Sequence, residues 1–396
     1  MAPQTKLVRT APYVEGTSFM NTAPVSPGPP PLRSVHTASF GPLLEHLEIS
    51  LLVTTYQAGK LVILRAQDGV VNTHFRGFNK PMGLACDGDR LAIGTALEVW
   101  EFHNVPAVAR KLDPPGTHDA CFLPRTSHVT GDVQIHEMAW ARARSQQSGL
   151  RSQEEEPELW FVNTRFSCLA GRAVNHSFVP RWRPPFISAL APEDRCHLNG
   201  LGLRDGQVRY VTALGATDTP GGWRADKPGG GILMEVPSGE IIARGLSMPH
   251  SPRWHAGRLW LLESGNGGLG VVDEASGRYQ AVAELPGFTR GLDFHGRFAF
   301  VGLSQVRESA IFSGIAIAER PERLCGVWVL DTVTGQTVAY LKFEEAVQEI
   351  FAVQVLPGRR FPDVINDDPA RVADSFVLPE EALTEVAEPL RDYVPR

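Results

Sequence analysis

The sequence predicts a six-bladed β-propeller. Three observations carry that expectation: a short unit recurs six times, the strand-like segments at the two ends of the chain complete one another, and the composition is that of a turn-rich β protein. The 396 residues include 38 glycines and 31 prolines, which favours many short strands joined by turns over a helical fold.

The recurring unit is a short polar lead followed by a small or apolar stretch. It appears as KPMGLACDGDRLAIGT, IHEMAWARA, HLNGLGLRDGQVRYVTAL, MPHSPRWHAGRLWLLES, FTRGLDFHGRFAFVGLS and QEIFAVQVLPG, beginning near Lys80, Ile135, His197, Met248, Phe288 and Gln348. A spacing of roughly 40 to 60 residues is that of propeller blades. Tight hairpins, CDGD, RDGQ, HAG and HG, and a longer loop in the His136 unit lead to second strands, RLAIGT, VRYVTAL, RLWLLES and RFAFVGL after the hairpins and ELWFVNT after the loop. These alternate or run apolar, as inner strands should. Third strands (EVWEF, GILMEV, LGVVD, GVWVLD) and turns such as VPSGE, DEASGR and DTVTGQ follow, the turns leading to a fourth strand.

The sixth unit has only a first strand. Its missing partners stand at the other end of the chain, where SLLVTTYQ, KLVILRA and VVNTHFRGF, Ser50 to Phe78, read as second, third and fourth strands without a first. Joining Ile350–Leu356 to them closes the ring and leaves no open sheet edge. Two unrelated β domains with similar turns are the competing architecture. The organisation expected is a proline-rich extension over 1–40, a propeller over 41–360 and an acidic tail over 361–396.

Charged residues are 21% of the chain and the formal net charge is -6, so no nucleic-acid surface is expected. Cys86, Cys121, Cys168, Cys196 and Cys325 are scattered, odd in number and without a CxxC pair. They read as reduced thiols in a cytoplasmic protein. No segment approaches the 18 or more apolar residues of a membrane span, and the N-terminus has no apolar signal region. The charge run from Ser145 to Glu158 reads as a solvated loop insertion.

In a propeller the loops leading into first strands and those leaving second strands share one face, around the central channel. Here those loops are long and polar, and long loops usually carry function. Aligned on the start of the apolar stretch, the residues just before it are Met82, Glu137, Asn199, His250, Arg290 and Ile350; one position earlier stand Pro81, His136, Leu198, Pro249, Thr289 and Glu349. Glu137, Asn199, His250 and Arg290 therefore converge near the axis as a polar site. A slip of one residue exchanges His136 and Glu137, so the sequence leaves open which of them faces the channel.

Imidazole with carboxylate suits zinc, iron or manganese, and carboxylate with amide oxygen suits calcium. His136, His197, His250 and Glu137 are the candidate ligands of such a divalent ion. Arg290 fits a substrate carboxylate or phosphate better than a purely cationic centre. The stretch THDACFLPRTSHVTGD, read as a loop on the same face, adds His128 and Asp132 beside Glu137 as acid–base candidates. Asn163, Arg165, Glu263, Asn199 and Trp223 are candidate substrate contacts, although turn chemistry accounts equally for the residues that follow second strands. GNGGLG precedes no helix and GxSxG is absent, so neither a nucleotide cofactor nor a serine-hydrolase elbow is expected.

The segments HVTGDVQIHEMAW, HLNGLG, MPHSPRWHAGRLWLLESGNGGLG and TRGLDF resemble a bacterial family of conserved proteins with propeller-like repeats and no assigned function, over roughly His36 to Pro362. A more distant resemblance, to six-bladed calcium-dependent lactonases of the gluconolactonase and senescence-marker group, implies an axial metal held by Glu, Asn and Asp residues at blade entries. Glu137 and Asn199 fit that pattern, whereas His250 and Arg290 depart from it. The leading expectation is a metal-supported enzyme, hydrolytic or oxidative, acting on a small anionic or peptide-like substrate. The alternative is a non-catalytic propeller that binds a peptide or protein partner across the same face. The oligomeric state is not readable.

Overall fold

A computed structural model describes residues 7–9, 32–142, 156–306, 313–366, 368–373 and 375–387. Six antiparallel sheets form six propeller blades. Blade 1 contains Leu84–Asp87, Arg90–Gly94, Glu98–Asn104 and Ala120–Val129. Blade 2 contains Ile135–Ala141, Glu158–Asn163, Cys168–Ala173 and His176–Trp182, and blade 3 contains Leu198–Arg204, Gln207–Ala213, Gly231–Glu235 and Ile241–Leu246. Blade 4 runs through Pro249–His255, Arg258–Glu263, Gly268–Val272 and Tyr279–Glu284, blade 5 through Phe288–His295, Phe298–Ser304, Gly326–Asp331 and Thr337–Phe343. The charged insertion expected over 145–158 falls largely outside the described residues.

The sixth blade closes the ring as the sequence predicts. Ala352–Pro357 lies antiparallel to Ile49–Thr55, with Ala352 opposite Thr54 and Leu356 opposite Ser50. Lys60–Gln67 and Val70–Gly77 complete it. The strand Ile49–Thr55 is buried at every position, and its period of two sends successive side chains to opposite neighbours. Leu51 and Val53 pack toward blade 5 against Phe300, Val327 and Leu341. Leu52 points the other way, toward Leu84, Leu91 and Phe102 of blade 1. Burial on both faces removes the hydrophobic–polar alternation that a half-exposed strand would show.

Hydroxyls at the ends of second strands tie three of the blades to their neighbours. Thr54 Oγ1 donates to Met82 O at 2.5 Å, Thr164 Oγ1 to Leu198 O at 2.6 Å and Ser304 Oγ to Ile350 O at 3.0 Å. Thr54 Oγ1 also accepts from Ala352 N at 3.0 Å, so one buried hydroxyl links both halves of blade 6 to blade 1. Thr54→Val keeps the shape and leaves both partners unsatisfied. An expected loss of about 2 kcal/mol would be read from urea unfolding, and an unchanged midpoint would refute it.

The terminal segments lie on the flanks. Ser34–Thr37 adds a strand beside Thr337–Phe343 of blade 5, and Leu7–Arg9 pairs with it in turn. The helix Phe40–His46 buries Phe40 and Leu44 in the core next to blade 6. Pro362–Val364 runs parallel to Ala120–Val129, and two short helices follow, Pro369–Val372 and Glu380–Leu383. No helix among the described residues is long and apolar enough to cross a membrane.

One expectation fails in blade 1. The stretch around His128, expected as a loop on the channel face, is the outer strand Ala120–Val129. Pro124 obscured it, because proline inside a run argues against a strand. It is tolerated here because it sits opposite Phe102 at a register shift of the outermost antiparallel pair.

Candidate functional site

All six blades contribute to a cavity of about 580 Å³ on the axis, on the face where first strands begin. Its walls include Tyr56, Met82, His136, Asp194, His197, Trp223, His250, Arg290, Glu349 and Phe351.

The backbone explains which histidines reach it. The second residue of the first strand is His136 in blade 2, Asn199 in blade 3, His250 in blade 4 and Thr289 in blade 5. In blades 2 and 4 the residue two places earlier is left-handed, Gln134 at φ 54 and Met248 at φ 47, which turns its carbonyl toward the following imidazole. His136 Nδ1 lies 3.1 Å from Gln134 O and 2.7 Å from Thr164 Oγ1. His250 Nδ1 lies 2.9 Å from Met248 O and 2.9 Å from Ser264 Oγ. The two blades have built the same device. In blade 3 the left-handed residue is His197 itself, at φ 50, and its Nδ1 lies 3.0 Å from both oxygens of Asp194.

Each arrangement determines a tautomer. A carbonyl or carboxylate oxygen only accepts, so each Nδ1 carries the hydrogen. Each Nε2 is then unprotonated whenever its ring is neutral, and no described residue hydrogen-bonds it. Burial, reinforced by the Arg290 charge, holds His136 and His250 well below the ordinary histidine value. Both are therefore neutral at pH 7. His136 and His197 meet edge to face with centroids 4.9 Å apart. Trp223 packs 4.5 Å from His197 and donates from Nε1 to Asp194 Oδ2 at 3.0 Å.

Arg290 is the cation of the site. Its guanidinium carbon lies 3.6 Å from the centre of the Phe351 ring. No hydrogen bond joins it to a described residue. Burial lowers its pKa to about 10, opposed by the nearby Glu349 charge, so it remains protonated.

Other sequence candidates occupy different places. Glu137 lies outside the cavity wall, displaced by the bulge between Ile135 and Met138, which puts His136 on the channel side. Its Oε1 accepts from Ser251 Oγ at 2.5 Å, and its Oε2 accepts from Leu201 N at 2.8 Å and Arg253 Nη1 at 2.9 Å. Asn199 is fully buried and accepts from Thr212 Oγ1 at 2.6 Å; His197 takes the channel side in its blade. Asn163 accepts from Phe166 N across a turn, and Glu263, at the end of its strand, accepts from Ser247 N; neither is in the cavity wall. Asp132 lines the cavity rim, and Arg165 holds it from outside at 2.5 Å. His128 lies on the outer strand of blade 1, with Nε2 3.0 Å from Ser177 O. Sequence reasoning missed Asp194, whose signal is the DRCH spacing to His197, and the two orienting hydroxyls of Thr164 and Ser264. Among the described residues no three imidazole, thiolate or carboxylate groups are placed to hold one metal ion.

The family model described as "Domain of unknown function (DUF4915)" matches residues 38–365. The chain belongs to the DUF4915 family. That membership and the six-bladed fold agree with the resemblance and architecture read from sequence. A search of curated proteins finds no match to this DUF4915 chain. Among solved structures it is similar to a chain of a nidogen–laminin complex, with TM-score 0.50 and 10% identity over 78% of this chain and 99% of that one. A protein of unknown function from Bacteroides caccae gives TM-score 0.47 and 9% identity, covering 78% and 98%. A catalytically inactive virginiamycin B lyase from Staphylococcus aureus with quinupristin gives 0.38 and 11%, covering 86% and 99%. At such identities the likeness to the nidogen–laminin chain speaks for the fold alone, and the other two carry no argument.

Proposed function

We propose that this DUF4915 protein is an enzyme that takes a small anionic or peptide-like substrate into the axial cavity. Arg290 holds the anionic group, and the neutral imidazoles of His136 and His250 serve as proton acceptors. The observation that carries this reading is the orientation of the rings: each Nδ1–H is pinned, and among the described residues neither the Nε2 lone pairs nor the half-buried Arg290 guanidinium beside them has a hydrogen-bond partner. A base must be unprotonated at the working pH, and the lowered histidine pKa values secure that. Phe351 and Trp223 supply apolar walls that exclude water from the reacting groups.

A divalent metal is an alternative use of the same Nε2 lone pairs, because an imidazole that coordinates an ion there cannot also accept a proton there. Neutral imidazoles whose second nitrogen is hydrogen-bonded suit iron, zinc or manganese as ligands, and His136, His197 and His250 are the residues that would hold one. Their rings would have to turn toward a common point, and a bound ion would activate a water or polarise the substrate. Plasma mass spectrometry of wild type beside His250→Ala tests the metal; about one ion per chain, lost in the variant, is expected. Calorimetric titration with small carboxylates tests the anion pocket, with binding weakened at least tenfold in Arg290→Met. Intact anion binding in that variant would sink the proposal whatever the metal result.

A second reading, a non-catalytic peptide receptor, is favoured by the rim. Lys80 lies 5.7 Å over Tyr56 and Arg224 4.3 Å over Trp223, and such cation–aromatic pairs are common anchors at interfaces.

A further inference from the structure

A second cavity, of about 1320 Å³, lies on the flank between blades 6 and 1, remote from the axis. Its floor is polar and its walls are apolar. The floor consists of Arg65, His74, Arg76, His118 and Asp363. Val108 and Leu112 from the segment after the third strand of blade 1 form one wall, and Phe376, Leu378 and Leu383 of the C-terminal segment form the roof.

The floor carries more positive than negative charge. Asp363 is committed to Arg76, which donates from Nε at 3.2 Å and Nη2 at 2.7 Å, and its Oδ1 also accepts from Val364 N at 2.7 Å. Arg65 is only 5% exposed. It donates from Nε to Asn72 Oδ1 at 2.9 Å and from Nη1 to Pro362 O at 2.5 Å, with Phe361 3.9 Å beneath its plane. All of these partners are neutral, no ion pair reaches Arg65 among the described residues, and its Nη2 has no partner there. His118 is 7% exposed, and its Nδ1 has no hydrogen-bond partner among the described residues. The buried His74 Nε2 is also without one, at 3.5 Å from Asp363 Oδ1. Burial keeps both imidazoles neutral, His74 down to about 4, so they add no positive charge and can hydrogen-bond a ligand.

The Asp363 and Asp119 charges act on Arg65 only from beyond ion-pair distance, and burial still lowers its pKa to about 10, so a directly paired anion would stabilise this guanidinium. Lys111, Asp113 and Arg371 also face the cavity from the edge, and Arg371 is paired with Asp368 at 3.4 Å. The apolar walls above this floor exceed what a bare inorganic anion would use. We infer that this flank cavity binds an anionic amphiphile: a carboxylate at Arg65 and His118, with an aliphatic body against Val108, Leu112 and the C-terminal roof. The site is separate from the axial cavity and does not depend on the reading given to it.

Equilibrium dialysis of the full chain with decanoate, inorganic phosphate and decanol tests this. Decanoate is expected to bind saturably, with each methylene removed weakening it about three- to fourfold. Phosphate and decanol, each offering half of the recognition, are expected to bind at least tenfold more weakly. Arg65→Gln should weaken decanoate at least tenfold. Because that residue is buried and its replacement can disturb folding, Val108→Trp, which fills the cavity from its wall, serves as the second variant and should abolish binding. Phosphate binding as tightly as decanoate would overturn the amphiphile assignment. So would decanoate binding that Val108→Trp leaves unchanged, or no saturable binding of decanoate at all.

Discussion

Glu137→Ala is expected to destabilise the protein by about 3–5 kcal/mol. The carboxylate of blade 2 accepts from Leu201 N of blade 3 and from Ser251 Oγ and Arg253 Nη1 of blade 4. Burial disfavours the Arg253 charge, and Glu137 more than restores it, so that guanidinium is held above its ordinary value. Truncating Glu137 strands a guanidinium, an amide and a hydroxyl together. Arg253 keeps the carbonyl oxygens of Leu201, Pro252 and Leu292 as acceptors, but these are dipoles in place of a charge. Chemical unfolding of Glu137→Ala, Arg253→Met and the double variant measures the coupling. The double variant should recover part of the loss, because no buried charge is then left alone. A loss below about 1 kcal/mol for Glu137→Ala would refute this bridging role.

The second large effect is on acid stability. His136 and His250 are neutral in the fold because burial, then Arg290, opposes their protonation. In the unfolded chain each titrates near its ordinary value of about 6.5. Above that pH neither state binds the proton, so these residues contribute no pH dependence. Below it the unfolded state takes up protons that the folded state refuses, and stability falls as pH falls. By pH 5 the expected cost is about 2 kcal/mol for each of the two histidines. Between pH 6.5 and 5, His136→Gln or His250→Gln should flatten the acid limb of the stability curve by about one proton's slope. Equal slopes in wild type and both variants would show that the imidazoles charge freely inside the cavity. His74 and His118 on the flank are depressed in the same direction, so the wild-type limb should be steeper than two histidines alone would give.

The blade count was legible because it rests on turn chemistry and periodicity, which are local. CDGD, RDGQ and HAG announce hairpins whatever surrounds them, and the strand order required Ile49–Thr55 to find Ala352–Pro357. The site was half legible for a specific reason. The first strands of blades 2 to 5 begin with an irregularity: the register shifts between Ile135 and Met138, Leu198 and Gly200, His250 and Arg253, and Thr289 and Leu292. A letter-by-letter alignment carries no sign of the extra residue, so it put Glu137 and Arg290 in the column of His250 where the fold puts His136 and Thr289. His197 was a second case. It reaches the cavity only through a left-handed backbone at a residue that is not glycine, a conformation that sequence seldom reveals. Asp194, Thr164 and Ser264 come from loops, and nothing in their local sequence says that they face an imidazole.

The ring closure also has a consequence for how the chain reaches its native state. The bond from Ala352 N to Thr54 Oγ1 joins residues 298 apart. At ribosomal rates of about 5–20 residues per second, Ile49–Thr55 waits roughly 15 to 60 s after synthesis for the strand that will cover it. Over that interval its backbone offers a free edge, and Leu51, Leu52 and Val53 of the same strand, buried in the finished ring, have only part of their packing. Later blades form behind a seam that is still open. The nascent chain therefore carries this open edge from early in its synthesis until Ala352–Pro357 emerges, and docking of that strand, not collapse of any one blade, is the step that seals the ring.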